Sequence, residues 1–250
     1  MIVQIYEIQT PHEAETMVRL DVDHVGSVLT SREHWQDETL KSAIQTVQSL
    51  GRKSSLIPLF GQVDTLCKAV DYYQPDILHF CETLAPKIDR RRFDGILSLQ
   101  QTMRDRFPEL DIMRSIPIGV GGSAELVPSL EYASMFEPWS DWFLTDTLLG
   151  GGNGICDHDQ PVNGFVGITG QPCDWNTARK LVRQSRIPVI LAGGIGPENV
   201  SQGIAHVSPA GVDSCTLTNA VDADGRAVRF QKDPEKVRAM VEKAKISGLK

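Results

Sequence analysis

No apolar run in this chain approaches the roughly 20 residues that a membrane-spanning helix needs. The N-terminal MIVQIYEIQT has neither the basic start nor the long apolar core of a secretory signal. Neither membrane insertion nor export is expected. Basic residues are the minority, 25 Lys and Arg against 32 Asp and Glu, for a net charge of −7. No basic stripe interleaves with aromatics, which argues against a nucleic-acid partner. Arg90-Arg91-Arg92, after Asp89, reads as a solvated surface segment in a loop. CxxC is absent. The five cysteines, Cys67, Cys81, Cys156, Cys173 and Cys215, are odd in number and widely spaced, which suits reduced thiols in a cytoplasmic protein. Cys156-Asp157-His158-Asp159 gathers three kinds of potential metal ligand, but adjacent side chains seldom converge on one ion, so a polar loop is expected there and no metal. No Pro/Ser linker or low-complexity run divides the chain. Its 250 residues, 41% hydrophobic, read as one domain over 1–250.

What is present is alternation. Val3 to Ile8 reads as a first strand, and Thr10 with Glu13 as the capping box of a helix. His24 to Leu29 is a second strand, ending at the polar corner Thr30-Ser31-Arg32; Glu38 to Leu50 is a helix stopped by Gly51. Strands at Ser54–Phe60, Ile77–Cys81, Asp111–Gly119, Trp142–Thr145, Ile187–Leu191 and Gly211–Leu217 follow, separated by helical segments, and a helix over Asp233–Ile246 closes the chain. Eight strand–helix alternations in this length predict an α/β fold, a single (β/α)8 TIM barrel. A doubly wound sheet would place a glycine fingerprint after the first strand, and Ile5-Tyr6-Glu7-Ile8 has none.

The most informative stretch is IPVILAGGIGPENV, Ile187 to Val200. A short β-branched run gives way to Ala192-Gly193-Gly194, where backbone N–H groups can approach a ligand closely. Pro197-Glu198-Asn199 then opens a helix. A strand, a glycine corner and a helix N-terminus suit an anion, most often phosphate; a tight βα turn packed for its own sake is the alternative.

The run Leu191 to Val200 resembles the LxGGLxPENV segment of the phosphoribosylanthranilate isomerase family, and other motifs follow in order. Gly167-Ile168-Thr169-Gly170-Gln171-Pro172-Cys173-Asp174-Trp175 is similar to the family's GGTGxxFDW, Leu144-Thr145-Asp146-Thr147 to its LLDT, the stretch from Pro75 to Cys81 to its PDxVQLHG, and Val212 to Thr216 to its VDVSS. The resemblance implies an Amadori rearrangement in tryptophan biosynthesis: an aminoaldose opens and becomes an aminoketose, with an acid, a base and a phosphate anchor. It implies a small phosphorylated substrate, no cofactor, and a monomer or homodimer. By resemblance Asp146 is the general acid and Arg32 the carboxylate-binding arginine. Gly170, Gly193 and Gly194 fall at phosphate-loop positions, and Cys215 and Thr216 stand in for the paired serines of strand eight.

Two departures bear on the chemistry. The family's first strand ends KICGIT, its cysteine being the base; here Tyr6 stands at that position and Glu7 at the glycine. Leu217 replaces the glycine after the paired serines. Substitute bases are Cys81 with His79, which period-two alternation puts on one face, and Glu7. A thiol beside an imidazole can be deprotonated near neutrality; a buried small thiol and a hydrogen-bonded histidine are the structural alternative. The long glycine-rich segment from Gly150 to Gly170 is expected to act as a lid. Two functions stay open: an isomerase, or a barrel that binds a phosphorylated small molecule with a different reaction or none.

Overall fold

The computed structural model describes residues 1–149 and 163–249, and in them eight parallel strands close a barrel in sequence order. The strands are β1 (Ile2–Ile5), β2 (His24–Leu29), β3 (Lys53–Pro58), β4 (Ile77–Phe80), β5 (Asp111–Gly119), β6 (Trp142–Leu148), β7 (Val189–Leu191) and β8 (Gly211–Ser214). The helices are α1 (Pro11–Arg19), α2 (Glu38–Ser49), α3 (Val63–Tyr73), α4 (Arg90–Arg106), α5 (Ser129–Phe136), α6 (Trp175–Gln184), α7 (Val200–Val207) and α8 (Pro234–Ser247). β1 pairs with β8 through Ile2 to Ile5 against Gly211 to Ser214, which completes the ring. No helix among the described residues is long and apolar enough to cross a membrane.

Local chemistry accounts for the element ends. The Thr10 side chain accepts from Glu13 N–H, and the Glu13 carboxylate reaches back to the Thr10 N–H, the capping box expected at α1. At the base of the barrel one device recurs. The residue just before each of β2, β4 and β6 is an aspartate whose carboxylate accepts a backbone N–H of the preceding strand: Asp23 from Val3 at 2.8 Å, Asp76 from Ser54 at 2.7 Å and Asp141 from Ile112 at 2.7 Å. Asp23 also takes Arg52 at 2.9 Å and Lys245 at 2.6 Å, tying α8 to the same rim.

Several boundaries differ from the sequence reading, and each difference has a cause. β1 stops at Ile5 because Glu7 turns left-handed, with φ 65°. β6 runs on to Leu148, so Asp146 lies within a strand and not at its end. Arg90 to Arg92 form the first turn of α4, capped by Asp89, not a loop. Pro197 and Glu198 precede α7, which starts at Val200 with Asn199 as its N-cap; the Asn199 side chain instead bridges Gly194 O and Gly196 N–H. β8 ends at Ser214, and Thr216–Thr218 is a single 3₁₀ turn. The largest addition is a hairpin between β8 and α8, made of β9 (Asn219–Val221) and β10 (Ala227–Lys232) around an Asp224-Gly225 turn.

Arg114 on β5 is fully buried on the outer face of the barrel. Its guanidinium donates to Glu82 Oε2 at 2.6 Å and Glu82 O at 3.1 Å, and it stacks over the Phe136 ring at 4.6 Å. Glu82 follows β4 and bridges to Phe165, so this ion pair holds the segment that roofs the site. Removing one partner of a buried pair strands the other charge. Glu82→Ala is expected to lower stability by on the order of 3–5 kcal/mol, read as a fall in the urea midpoint. A change under about 1 kcal/mol would place the pair among ordinary surface bridges.

Candidate active site

The strands' C-terminal ends surround one cavity of about 80 Å³, room for a few waters as it stands. Tyr6 makes its floor. The ring lies over Gly26, where a Cβ would come within 2.1 Å of it, and only a glycine leaves that space. The Tyr6 hydroxyl shares hydrogen bonds with Ser55 Oγ and His79 Nδ1, 2.6 Å each, and His79 Nε2 meets Ser115 Oγ at 2.8 Å. Beside this network Gln4 donates to Asp213 Oδ1 at 3.1 Å, with its own Oε1 3.2 Å from His24 Nδ1. Burial holds both histidines neutral: His79 falls to about 3 and His24 to about 4.

Asp146 projects from β6 into the cavity. Gly167 crosses above it at φ 116°, and a Cβ there would lie 2.5 Å from Asp146 Oδ2. Burial raises the Asp146 carboxyl to about 7, against the opposing Thr147 N–H at 2.9 Å. Asp213 lines the same cavity, and its carboxyl is also raised to about 7. Burial is the main cause; the Gln4 hydrogen bond lowers it and the Asp146 charge raises it. A carboxyl near neutrality can hold or take a proton at working pH, which is what acid–base chemistry needs.

The other expected bases are differently placed. Cys81 and His79 both line the cavity, as strand alternation predicted. The thiol–imidazole pairing is corrected, however: His79 hydrogen-bonds with Tyr6 and Ser115, and burial followed by the Glu82 and Asp146 charges pushes the Cys81 thiol well up. Tyr6 is likewise raised by burial, so its phenol stays neutral. Glu7 reaches the cavity but accepts from Arg229 Nε at 2.6 Å and Phe230 N at 3.2 Å. Arg32 is outside the cavity, half-exposed and 3.5 Å from Glu33.

Gly170, Gly193 and Gly194 line the cavity with φ of 65°, 80° and 61°. Their N–H groups have no protein acceptor among the described residues. Cys215 and Thr216 lie on the same wall, the thiol raised by burial. Leu217 packs against this corner: a Cβ on Gly196 would meet its Cβ at 2.6 Å. Residues 150–162, with Cys156 to Asp159 and most of the expected lid, lie outside the described residues. Asp213 and Arg229 were not singled out from sequence. Period two from β8 carried a signal for the first, and Asp224-Gly225 between short apolar runs signalled the hairpin that bears the second.

Fold and site together define a (β/α)8 barrel with two carboxyls of raised pKa and a glycine corner at one mouth. Residues 154–243 match the family described as N-(5'phosphoribosyl)anthranilate (PRA) isomerase. N-(5'-phosphoribosyl)anthranilate isomerase 2 of Methanosarcina mazei is 36% identical over 153 residues, 61% of this chain and 55% of that protein. The N-(5'-phosphoribosyl)anthranilate isomerase of Methanothrix thermoacetophila is 25% identical over 97% of both chains. The solved N-(5'-phosphoribosyl)anthranilate isomerase of Pyrococcus furiosus shares the fold at a TM-score of 0.64 with 20% identity, covering 98% of this chain and 99% of that one. These matches relate the chain to the phosphoribosylanthranilate isomerase family. The chain spans about half the length of the first curated relatives it matches, 53%, 55% and 50%.

The raised carboxyls have a consequence for stability. A carboxyl at about 7 in the fold and about 4 unfolded keeps its proton longer in the native state, so its contribution is present below pH 4 and lost as pH rises to 7. Asp146→Asn/Asp213→Asn should therefore gain stability over the wild type progressively from pH 4 to 7, measured by urea unfolding. A difference independent of pH would mean that neither carboxyl is shifted.

Proposed function

We propose that the protein is an aldose–ketose isomerase of the phosphoribosylanthranilate isomerase type, acting on a phosphorylated aminosugar in tryptophan biosynthesis. The observation that carries this reading is a pair of carboxyls, Asp146 and Asp213, lining one cavity beside a glycine corner whose N–H groups have no acceptor among the described residues. In an Amadori rearrangement the acid protonates the ring oxygen as the C1–O bond opens, leaving an iminium. The base then takes the C2 proton, and the resulting enol becomes the ketose. Asp146 serves as the acid. Asp213 serves as the base, since the other candidates are tied or protonated: Tyr6 to Ser55 and His79, Glu7 to Arg229, Cys81 as a thiol. The N–H groups of Gly170, Gly193 and Gly194 would hold the phosphate, so that binding remote from the reacting carbon positions the sugar.

A second reading has its own support. The Tyr6 ring over Gly26 and the Leu217 side chain against Gly196 narrow the space in which a phosphosugar would lie. A barrel of this kind could bind a phosphorylated small molecule without this reaction.

Turnover of N-(5'-phosphoribosyl)anthranilate, followed by loss of its fluorescence, separates the two. Asp146→Asn and Asp213→Asn are each expected to lower kcat by about 10²–10⁴-fold with phosphate binding retained. The wild-type pH profile should be a bell near neutrality whose limbs belong to the coupled pair. Asp213→Asn removes the acid limb and Asp146→Asn the alkaline one. Phosphate binding without turnover in the wild type would leave the second reading standing.

A further inference from the structure

Gln4 on β1 is wholly buried, and it is the register partner of His24 on β2 and of Asp213 on β8. The three side chains form one row across the seam where the barrel closes. The Gln4 amide is engaged at both ends: Nε2 donates to Asp213 Oδ1 at 3.1 Å, with Met113 Sδ at 3.8 Å, and Oε1 lies 3.2 Å from His24 Nδ1. An amide oxygen only accepts, so the proton between Gln4 and His24 sits on Nδ1. Burial, then the Lys53 charge, lowers His24 to about 4, against the raising charges of Asp23, Asp111 and Asp76, so the ring is neutral and carries a single N–H. Trp142 meets that ring edge-on at 5.4 Å, with its own Nε1 3.4 Å from Asp111 Oδ2, which gives the imidazole a fixed seat. A single N–H on Nδ1 turns the carbonyl end of Gln4 toward β2 and its NH₂ end toward β8. Among the described residues Gln4 makes the one hydrogen bond to the Asp213 carboxyl.

We propose that Gln4 is a positioning residue, oriented by His24, which fixes Asp213 in place and favours its carboxylate over its acid form. That this prepares a base rests on the isomerase reading. An NH₂ group offers donors alone, so it stabilises an ionised carboxylate and has nothing to accept from a carboxylic acid. The amide turned end for end would present its carbonyl and stabilise the acid instead. The tautomer of a histidine that does not touch Asp213 thus decides which proton state of Asp213 is supported. The other groups around Asp213 do not replace this contact: the Asp146 charge on β6 opposes ionisation and Lys232 on β10 favours it from a distance, while burial keeps Tyr6 and Cys215 neutral.

The test follows the Asp213 carboxyl by carbon-13 NMR in the full chain, its resonance assigned by its loss in Asp213→Asn, beside the pH profile of turnover. Gln4→Met is expected to raise the Asp213 midpoint by about one pH unit and to carry the acid limb up with it, so that the bell narrows and its peak falls. His24→Phe guards against loss of the fold in the first variant. It should raise the midpoint by less, because the amide stays but is free to turn; a merely structural role for either residue would lower stability and move neither midpoint nor limb. Nitrogen-15 NMR of the wild type should show His24 protonated at Nδ1. Protonation at Nε2 alone, or an Asp213 midpoint unmoved by both variants, overturns the proposal. A shifted midpoint with an unmoved acid limb overturns the preparation of a base. A shifted midpoint in a protein that does not turn over leaves the Gln4–Asp213 contact standing while the isomerase reading falls.

Discussion

Everything above the middle of the barrel rests on the ring of Tyr6. Its hydroxyl is shared between Ser55 on β3 and His79 on β4, and His79 passes the chain on to Ser115 on β5. One phenol from the end of β1 thus fixes polar groups on three other strands in a fully buried place, where each donor or acceptor left alone would be costly. The arrangement sets the depth of the cavity. It also withdraws His79 from chemistry, because both ring nitrogens are engaged. A small side chain at position 6 would leave the imidazole a free face; with a tyrosine there, Asp146 and Asp213 are the carboxyls of raised pKa that line the cavity.

Those two carboxyls are raised for the same reason, burial among apolar strand residues, yet they are held differently. Asp146 has the Thr147 N–H beside it and Gly167 overhead, so its surroundings change if the roof shifts. Asp213 is fixed by Gln4, its register partner on β1, which in turn meets His24. One group depends on the roof and the other on the barrel interior. That division gives two like groups unlike surroundings at a single mouth.

Much of this was legible from sequence, and the failures are instructive. β2 and β5 have the bounds read from their apolar runs, since nothing distant contests their ends. The inward phase of His79 and Cys81 followed from period two, and attention to Asp146 from the resemblance of Leu144 to Thr147 to a family motif. The partners of His79 could not be read, because they come from β1 and β5. The early end of β1 depends on Arg229, 222 residues away, which no local pattern encodes. Asp213 and the hairpin are another matter: their signals, strand alternation and an Asp-Gly turn, were present in the letters.

The aspartates at the base carry an implication of a different kind. Asp23, Asp76 and Asp141 each join a strand to its predecessor, so the lower rim is stitched in couplets: β1 with β2, β3 with β4, β5 with β6. The last couplet, β7 with β8, is joined there by backbone alone, from Ala210 N–H to Val189 O at 2.9 Å. Pairing within each couplet is therefore secured at the end of the barrel away from the cavity. Tyr6, Leu217 and the hairpin could be acquired without disturbing a single stitch. A lineage can in this way keep its architecture by inheritance from below while it redraws its ligand from above.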